Sequence, residues 1–393
     1  MTIADPAFTR LQPFQGALYH CATCNYCVSA TWPERGIDGV CATLRSHSPA
    51  TSHSGKGYLA TARALLEGEA LDLESVAERA FACTTCGNCE AVCPIDMPPT
   101  AVVKALRTEL HERRHAPAAA LTVRDHVLTR QNPWGAPTGH SADWSLGLAP
   151  HPQPDLWLLP GCAATHRHPA EARAAAQLLS VIGFDVGWPA RETCCGAPLA
   201  ALGFADDAAA QHAALTASLP QQTTLALLGG ECLSQLRADG RPAQSVLQLL
   251  HAALHDGRLA IAARGDAPPP AVVAVQDSCH LSKPHHRLTD LDAPRLLREV
   301  LAALGCQVTA AAAAPRHAIC CGAAGGMAQL HPASARRMAA EHITAADRPG
   351  AEALVTASPL CASHLADSAG AQLPVYGICE FIAAHFAVAG PDA

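Results

Sequence analysis

Hydrophobic positions in the first third of this chain recur at helical spacing. The segments Tyr58–Leu66, Leu73–Ala80 and Ala101–Leu110 each place apolar residues on one face, which predicts amphipathic helices. Gly68 is placed to end the first of these helices, and Thr100 is placed to cap the third. We therefore expect a helical first third.

From residue 155 onward the pattern changes, because short apolar runs alternate with helical stretches. This order occurs twice. In the first copy the pattern predicts a strand from Asp155, a helix over Pro169–Ile182, a strand over Phe184–Trp188, a second helical stretch and then a strand over Thr224–Leu228. The second copy predicts these: strand Ala271–Val275, helix Ala293–Leu304, strand Gln307–Thr309, helix Ser334–Ala345 and strand Ala353–Thr356. Strands that alternate with helices predict a parallel sheet, with ligands at its carboxyl edge.

Composition narrows the class of protein. Hydrophobic residues make up 49% of the chain and charged residues 16%, which is typical of a folded protein. The net charge of −7 and the absence of a long basic run argue against nucleic acid as a partner. No stretch approaches the ~20 apolar residues of a membrane-spanning helix, and the N-terminus has no secretory signal pattern. We expect a cytoplasmic protein, with peripheral attachment to the inner face of the membrane left open.

The 18 cysteines indicate metal chemistry, because a long chain without a secretory signal is a poor candidate for a disulfide framework. Sixteen of them fall into four local groups. Cys306 and Cys379 lie apart from the groups in apolar segments, so we interpret them as core residues.

The run from Cys83 to Pro94 has the spacing of a bacterial ferredoxin motif for a [4Fe–4S] cluster. Its cysteines are Cys83, Cys86, Cys89 and Cys93. A zinc knuckle is the alternative, but four thiolates for zinc usually come as two separated pairs.

An earlier group, Cys21, Cys24 and Cys27, repeats this spacing but has Thr31 where a fourth cysteine is expected. Either Cys41 replaces the missing ligand, or the first cluster is degenerate or absent. We favour replacement, with the fourth ligands crossed as in two-cluster ferredoxins. The first cluster would then use Cys21, Cys24, Cys27 and Cys93, and the second would use Cys83, Cys86, Cys89 and Cys41.

Each predicted α/β copy contains a Cys-Cys-Gly motif flanked by distant single cysteines that follow strands. The candidate metal ligands of the first copy are Cys162, Cys194, Cys195 and Cys232. Those of the second copy are Cys279, Cys320, Cys321 and Cys361.

This combination resembles the iron–sulfur subunits of glycolate oxidase, anaerobic glycerol-3-phosphate dehydrogenase and heterodisulfide reductase-like proteins. The resemblance rests on the first triad, the Leu65-Leu66-Glu67-Gly68 helix end, the Cys83–Pro94 run and the duplicated Cys-Cys-Gly domain. It implies two [4Fe–4S] clusters in the first domain and a further cluster or zinc in the repeats. Heterodisulfide reductases have a fifth cysteine per repeat for a noncubane cluster pair. Gln235 and His364 occupy those positions here.

The expected fold class is α+β multidomain: an α-helical ferredoxin-like domain followed by two α/β, Rossmann-like, parallel-sheet repeats. The expected boundaries are residues 1–115 for the two-cluster domain, 116–154 for a proline-rich linker that includes a helix over Ala118–Leu128, 155–265 for repeat 1 and 266–393 for repeat 2.

The chain has no dinucleotide fingerprint, P-loop or nucleophile elbow, so no catalytic residue is predicted. We expect an oxidoreductase subunit that transfers electrons from the flavin of a partner dehydrogenase, as the glycolate oxidase resemblance implies, toward a quinone or a membrane-associated subunit. A heterodisulfide reductase-like catalytic subunit and a non-enzymatic redox sensor are the alternatives. His364 and His280 are interpreted as hydrogen-bonding residues, and His285 and His286 as surface-loop residues.

Overall fold

The computed structural model describes residues 8–35, 37–264, 268–283, 291–309, 315–347, 350–370 and 373–390. His285 and His286 lie outside the described residues. The first part of the chain is helical except for a short antiparallel hairpin of β1 (Thr31–Trp32) and β2 (Ile37–Asp38). Its helices are α1 (Gln15–His20), α2 (Tyr26–Ser29), α3 (Ala42–Ser46), α4 (Gly55–Leu66), α5 (Leu73–Phe81), α6 (Asn88–Ala91), α7 (Pro99–Glu112) and α8 (Ala118–Arg130). Turns of 3₁₀ helix cover Gln12–Phe14, Pro33–Arg35 and Thr51–His53.

The three predicted helices of the first third are confirmed as α4, α5 and α7. Helix α4 ends at Leu66, and Gly68 follows with a φ of +81°, a conformation that favours glycine. The prediction that Thr100 caps α7 is wrong, because the helix begins at Pro99. A proline in the first turn needs no hydrogen-bond partner for its nitrogen. The Thr100 hydroxyl instead donates to the Glu90 carboxylate.

The segment predicted as a linker contains α8 and a 3₁₀ stretch over Thr138–Ser145. Helix α8 buries Ala120, Val123 and Val127 in the same apolar cluster as α4 and α7. The segment therefore packs against the rest of the protein.

Two four-stranded parallel sheets follow, and they have the same strand order. The first has the order β4-β3-β5-β6 and the second β9-β8-β10-β11. Their strands are β3 (Leu156–Leu159), β4 (Val186–Gly187), β5 (Thr224–Leu227), β6 (Ala243–Ser245), β8 (Val272–Gln276), β9 (Gln307–Thr309), β10 (Ala353–Thr356) and β11 (Val375–Gly377). An antiparallel pair of β7 (Ala260–Ala263) and β12 (Phe386–Ala389) joins the ends of the two copies. The predicted fold class and the duplication are confirmed.

The helices of the two copies cover both sheets. Those of repeat 1 are α9 (Cys162–Arg167), α10 (Pro169–Val181), α11 (Ala197–Ala201), α12 (Ala205–Ser218), α13 (Gly230–Ala238) and α14 (Val246–His255). Those of repeat 2 are α15 (Cys279–Ser282), α16 (Ala293–Ala303), α17 (Met327–Leu330), α18 (Pro332–Asp347), α19 (Pro359–Ala369) and α20 (Ile378–His385), with a 3₁₀ turn at Pro315–His317.

The strand order explains where the cysteines of each repeat lie. In each copy the second strand lies on one side of the first strand, and the third strand lies on its other side. This change of direction leaves a crevice at the carboxyl ends of the first and third strands. Cys162 follows β3 and Cys232 follows β5; Cys279 follows β8 and Cys361 follows β10. Both groups therefore lie where a doubly wound sheet binds ligands.

One apolar cluster spans both repeats, and Cys306 and Cys379 are buried within it as predicted. A second cluster joins the helical first part to Leu199, Leu202 and Phe204 of repeat 1. Among the described residues, no helix is both long and apolar enough to span a membrane.

Candidate metal centres

The first cysteine set comprises Cys21, Cys24, Cys27 and Cys93, which line one small cavity. Cys24 is exposed and the other three are partly buried, so this cavity lies near the surface. The large aromatic residues Tyr19 and Tyr26 are also exposed beside this loop.

The second set comprises Cys41, Cys83, Cys86 and Cys89, which line a neighbouring cavity. Cys89 also borders the first cavity. The β1–β2 hairpin leads the chain past Thr31 and brings Cys41 to the Cys83–Cys89 loop. The four cysteines of each predicted crossed set therefore line one cavity.

The two cysteine loops share an unusual backbone. Thr23 and Asn25 have φ values of +50° and +68°, and the equivalent Thr85 and Gly87 have +51° and +73°. A left-handed conformation is costly for a β-branched threonine and persists only where the surroundings impose it. In both loops it turns three successive thiols toward one cavity.

Buried cations lie beside the second set. Arg107 is fully buried, and its guanidinium donates to the carbonyl oxygens of Ala80 (2.9 Å), Cys83 (2.6 Å), Ala201 (2.5 Å) and Gly325 (3.1 Å). Lys283 is 2% exposed, and its ammonium donates to the Arg316 and Ala318 carbonyls (2.7 and 2.9 Å) and the Asn88 side chain (3.3 Å). Neither cation contacts a carboxylate within the described chain.

Uncompensated buried charge is costly, so an anion is expected near these two cations. Burial lowers the pKa of Lys283 to about 8, while Cys86, Cys279, the Asp277 carboxylate and Cys320 act in the opposite direction. Four thiolates around a [4Fe–4S] cluster form a net anion, and the donor set and the buried cations both fit such a group.

In repeat 1, Cys162, Cys194, Cys195 and Cys232 form a connected group. The Cys232 thiol donates to the Cys195 sulfur at 3.2 Å. Gly196 of the Cys-Cys-Gly motif has a φ of +81°, and a Cβ there would lie 2.6 Å from the Ala208 carbonyl oxygen. The motif needs glycine for that close approach. The Gln131 side chain of the predicted linker accepts the Cys194 backbone N–H at 3.0 Å.

Repeat 2 has the same arrangement with Cys279, Cys320, Cys321 and Cys361. The Cys321 and Cys361 sulfurs are 3.5 Å apart, and the Gly322 N–H donates to the Cys320 sulfur at 3.3 Å. Hydrogen bonds from Cys279 and Cys321 lower the pKa of the Cys320 thiol. Gly322 has the same role in repeat 2 as Gly196 has in repeat 1, and its φ is +100°.

The fifth cysteine position of each repeat provides no thiol. The His364 ring is hydrogen-bonded to the Ala335 carbonyl (Nε2 to O, 3.2 Å), as the sequence interpretation expected. Gln235 lines a larger cleft between the repeats. Cys162, Cys195 and Cys232 line one wall of this cleft, and the His280 ring contacts the Glu231 carboxylate there.

The second cysteine set contacts the group in repeat 2. Cys86, Cys279 and Cys320 share one buried cluster. The Thr84 hydroxyl is hydrogen-bonded to the sulfurs of both Cys86 and Cys320. Gly325 packs on this loop so closely that a Cβ would lie 2.5 Å from the Thr84 carbonyl carbon. Sequence reasoning missed Thr84, Arg107, Lys283 and Gly325, because nothing in their spacing signals that they meet.

Comparison with known families agrees with this arrangement. Residues 17–97 match the 4Fe-4S dicluster domain family. Residues 157–237 and 273–366 match the cysteine-rich domain family.

Three proteins of known sequence are similar to this chain. An uncharacterized iron–sulfur protein of Methanococcus maripaludis is 25% identical over 78% of this chain and 60% of its own length. One subunit of the fumarate reductase (CoM/CoB) of Methanothermobacter marburgensis is 24% identical over 75% of this chain and 58% of its own length. One subunit of the dihydromethanophenazine:CoB–CoM heterodisulfide reductase of Methanosarcina barkeri is 24% identical over 79% of each chain.

The chain spans about three fifths of the length of the first two relatives. The matched domains confirm the predicted kind of cofactor, which is the [4Fe–4S] cluster, and the predicted family. The protein belongs to the iron–sulfur proteins that join a 4Fe-4S dicluster domain to two cysteine-rich domains.

Proposed function

We propose that this protein is an electron-transfer subunit of a flavin-dependent dehydrogenase complex that oxidises glycolate or a similar 2-hydroxy acid. One observation supports the transfer role above all others: three cysteine sets follow one another from the surface at Cys24 to the buried group around Cys320. Clusters bound at such sets would supply one-electron storage at each position. The surrounding residues orient the thiols, exclude water and balance their charge.

Under this proposal the crossed sets are the ligands of two [4Fe–4S] clusters. The first is held by Cys21, Cys24, Cys27 and Cys93, and the second by Cys41, Cys83, Cys86 and Cys89. The repeat groups hold a further cluster or zinc. Four thiols remain in each repeat, which suits either group.

We propose that the partner flavoprotein docks at the first set. Cys24 and the aromatic side chains of Tyr19 and Tyr26 are exposed there, and aromatic residues are common in protein interfaces. Two of the relatives are named as subunits, which supports a multi-subunit assembly. We propose a quinone or a membrane-associated subunit as the acceptor, and a cytoplasmic location at or near the membrane.

A second candidate function is thiol–disulfide chemistry at the repeats. The cleft between the repeats reaches Cys162, Cys195 and Cys232, so a small molecule could approach them. The names of two relatives include CoM and CoB, and one of the two is named as a heterodisulfide reductase. The absence of a fifth cysteine at Gln235 and His364 argues against a heterodisulfide reductase-type centre.

The test is the iron and acid-labile sulfide content of anaerobically purified protein, with EPR spectroscopy of the reduced state. We expect about eight irons with coupled [4Fe–4S] signals from the first domain, and Cys86→Ser should remove the second cluster. Cys306→Ser is the matched control, because Cys306 belongs to none of the sets. A chain without reducible iron would overturn the proposal. Reoxidation of the reduced protein by a disulfide would favour the second candidate.

A further inference from the structure

A group of histidines and one glutamate lies apart from the cysteine sets. His47 follows α3, His53 ends the 3₁₀ turn before α4, and Glu78 lies on α5. One potential ligand atom from each of the three lies within 4.8 Å of the other two. The His331 ring of repeat 2 lies 4.6 Å from the His47 ring in an edge-to-face arrangement.

Two imidazole nitrogens in this group lack a partner. His53 is 6% exposed, and its Nε2 atom is buried without a hydrogen bond within the described chain. The same is true of the His331 Nε2 atom. A buried polar nitrogen without a hydrogen-bond partner destabilises the folded state, so two of them together point to a ligand.

The Nδ1 atoms of His47 and His53 do have partners. The His47 Nδ1 atom lies 2.9 Å from the Ser334 hydroxyl, which also accepts a hydrogen bond from Arg337 at 3.0 Å. The His53 Nδ1 atom lies 3.4 Å from the Ser52 hydroxyl. When Nδ1 donates to such a group, Nε2 has a free lone pair, which is the usual arrangement of metal-binding histidines.

We propose that His47, His53 and Glu78 bind one divalent transition-metal ion of the zinc class, and that the neighbouring His331 ring is the candidate for a fourth donor. Three imidazoles and a carboxylate suit Zn²⁺ and disfavour Mg²⁺ and Ca²⁺, which prefer oxygen ligands. Tetrahedral zinc with Zn–N bonds of about 2.0–2.1 Å requires donors about 3.4 Å apart. Glu78 is exposed, so its side chain is free to close that gap and the ion has a route of entry.

The site would fasten the dicluster domain to repeat 2. His47, His53 and Glu78 belong to the first domain, whereas His331 and Ser334 belong to repeat 2. Direct contacts already join the same surfaces: the Ser46 hydroxyl donates to Glu341 at 2.6 Å, and Arg337 donates to the Ser46 carbonyl at 2.8 Å. This inference does not depend on the proposed function, because no cysteine takes part in it.

The test uses the full-length protein with its clusters intact and Zn²⁺ alone as the probe. We expect one zinc per chain with a nitrogen/oxygen shell at about 2.0–2.1 Å in zinc-edge X-ray absorption, in addition to any sulfur-bound zinc of the repeats. Glu78→Gln and His47→Gln should each lose that equivalent, with iron and sulfide content unchanged. His331→Gln should weaken binding at least tenfold.

Glu74→Gln is the matched control, because Glu74 lies on the same helix and outside the group. Glu78 is exposed, so its substitution should leave the fold intact even if the variants of the partly buried histidines are unstable. Zinc with only a sulfur shell at about 2.3 Å would place the ion in the repeats and overturn the proposal. Unchanged zinc content in Glu78→Gln and His47→Gln would also overturn it.

Discussion

At the residue scale, the most informative side chain is Lys283. Its ammonium is buried among carbonyl oxygens and lies near the thiols of Cys86, Cys279 and Cys320. A positive charge at this depth stabilises the reduced state of any cluster nearby, since reduction adds negative charge. The charge of Lys283 therefore acts on two neighbouring groups of cysteines, the second set and the group in repeat 2.

We predict that Lys283→Met lowers the reduction potential of the cluster at the second set. A unit charge several ångströms away contributes on the order of 2 kcal/mol at an effective dielectric of about 20. For one electron this corresponds to about 90 mV. Potentiometric titration followed by EPR measures the shift. Lys283→Arg retains the charge and should change the potential far less; equal shifts in both variants would refute the electrostatic explanation.

At the element scale, Glu171 links the two repeats. It lies on α10 of repeat 1, is fully buried, and accepts the backbone N–H groups of Cys379 (3.2 Å) and Glu380 (2.7 Å) in the first turn of α20. A carboxylate at a helix N-terminus satisfies amides that the helix itself leaves unpaired. The position of Gly377 must be a glycine for this contact, since a Cβ there would overlap the Glu171 carboxylate.

We predict that Glu171→Ala destabilises the protein by about 3 kcal/mol, because two buried N–H groups lose their acceptor. Chemical unfolding at neutral pH measures the loss. Gly377→Ala should also destabilise, since the added methyl group would displace the carboxylate. An exposed position such as Glu69→Gln should change stability by less than about 0.5 kcal/mol. A neutral effect of Glu171→Ala would mean that water replaces the carboxylate.

The contribution of Glu171 to the stability of the folded protein should depend on pH in a definite direction. Burial raises the pKa of Glu171 above its ordinary value, despite the two N–H groups and nearby His168. The folded state therefore binds this proton more tightly than the unfolded state, and stability falls as pH rises through the unfolded pKa toward the folded one. Relative to Glu171→Gln, the wild-type protein should lose stability between pH 4.5 and the folded pKa. Unfolding curves at several pH values test this, and a constant difference would contradict it.

At the scale of the whole molecule, Arg107 and Gly325 hold three parts together. The Arg107 guanidinium bonds to carbonyls in the dicluster domain, in repeat 1 at Ala201 and in repeat 2 at Gly325. Gly325 in turn packs on the backbone of Thr84 between Cys83 and Cys86. The contact between the second cysteine set and repeat 2 depends on this junction.

We predict that Gly325→Ala separates the second set from repeat 2 without loss of the first two clusters. The new Cβ would overlap the Thr84 backbone, and the φ of +67° adds strain. Iron content should stay at the wild-type level, while electron transfer to an acceptor at repeat 2 should slow at least tenfold. Stopped-flow oxidation of the reduced protein measures this rate.

Gly240→Ala controls for backbone strain, because Gly240 has a similar φ of +71° but no atom within 4 Å of the added methyl group. If both variants transfer electrons at the same rate, the Gly325 contact is not part of the route.

The cysteine sets and the duplicated sheet were largely predictable from the sequence. The spacing of Cys21–Cys27 and Cys83–Cys89 determines two short loops with nearly the same backbone angles, because few residues separate the thiols. The alternation of apolar runs and helices in residues 155–390 determines the parallel sheets, since each strand must be covered on both faces. The crossed assignment of Cys41 and Cys93 came from the two-cluster ferredoxin pattern, and each of the two lines the cavity of the set to which that pattern assigns it.

Only the tertiary structure decided which of these pieces touch. The contact between Cys86 and Cys320, the burial of Arg107 and Lys283, and the meeting of His47, His53, Glu78 and His331 join residues that are far apart in the chain. Such contacts arise when whole surfaces pack against each other. The local spacing of residues predicts a loop or a strand, but it does not indicate against which surface that element packs. The sequence by itself therefore determined the metal-binding units, and the packing of the domains decided which of these units lie next to one another.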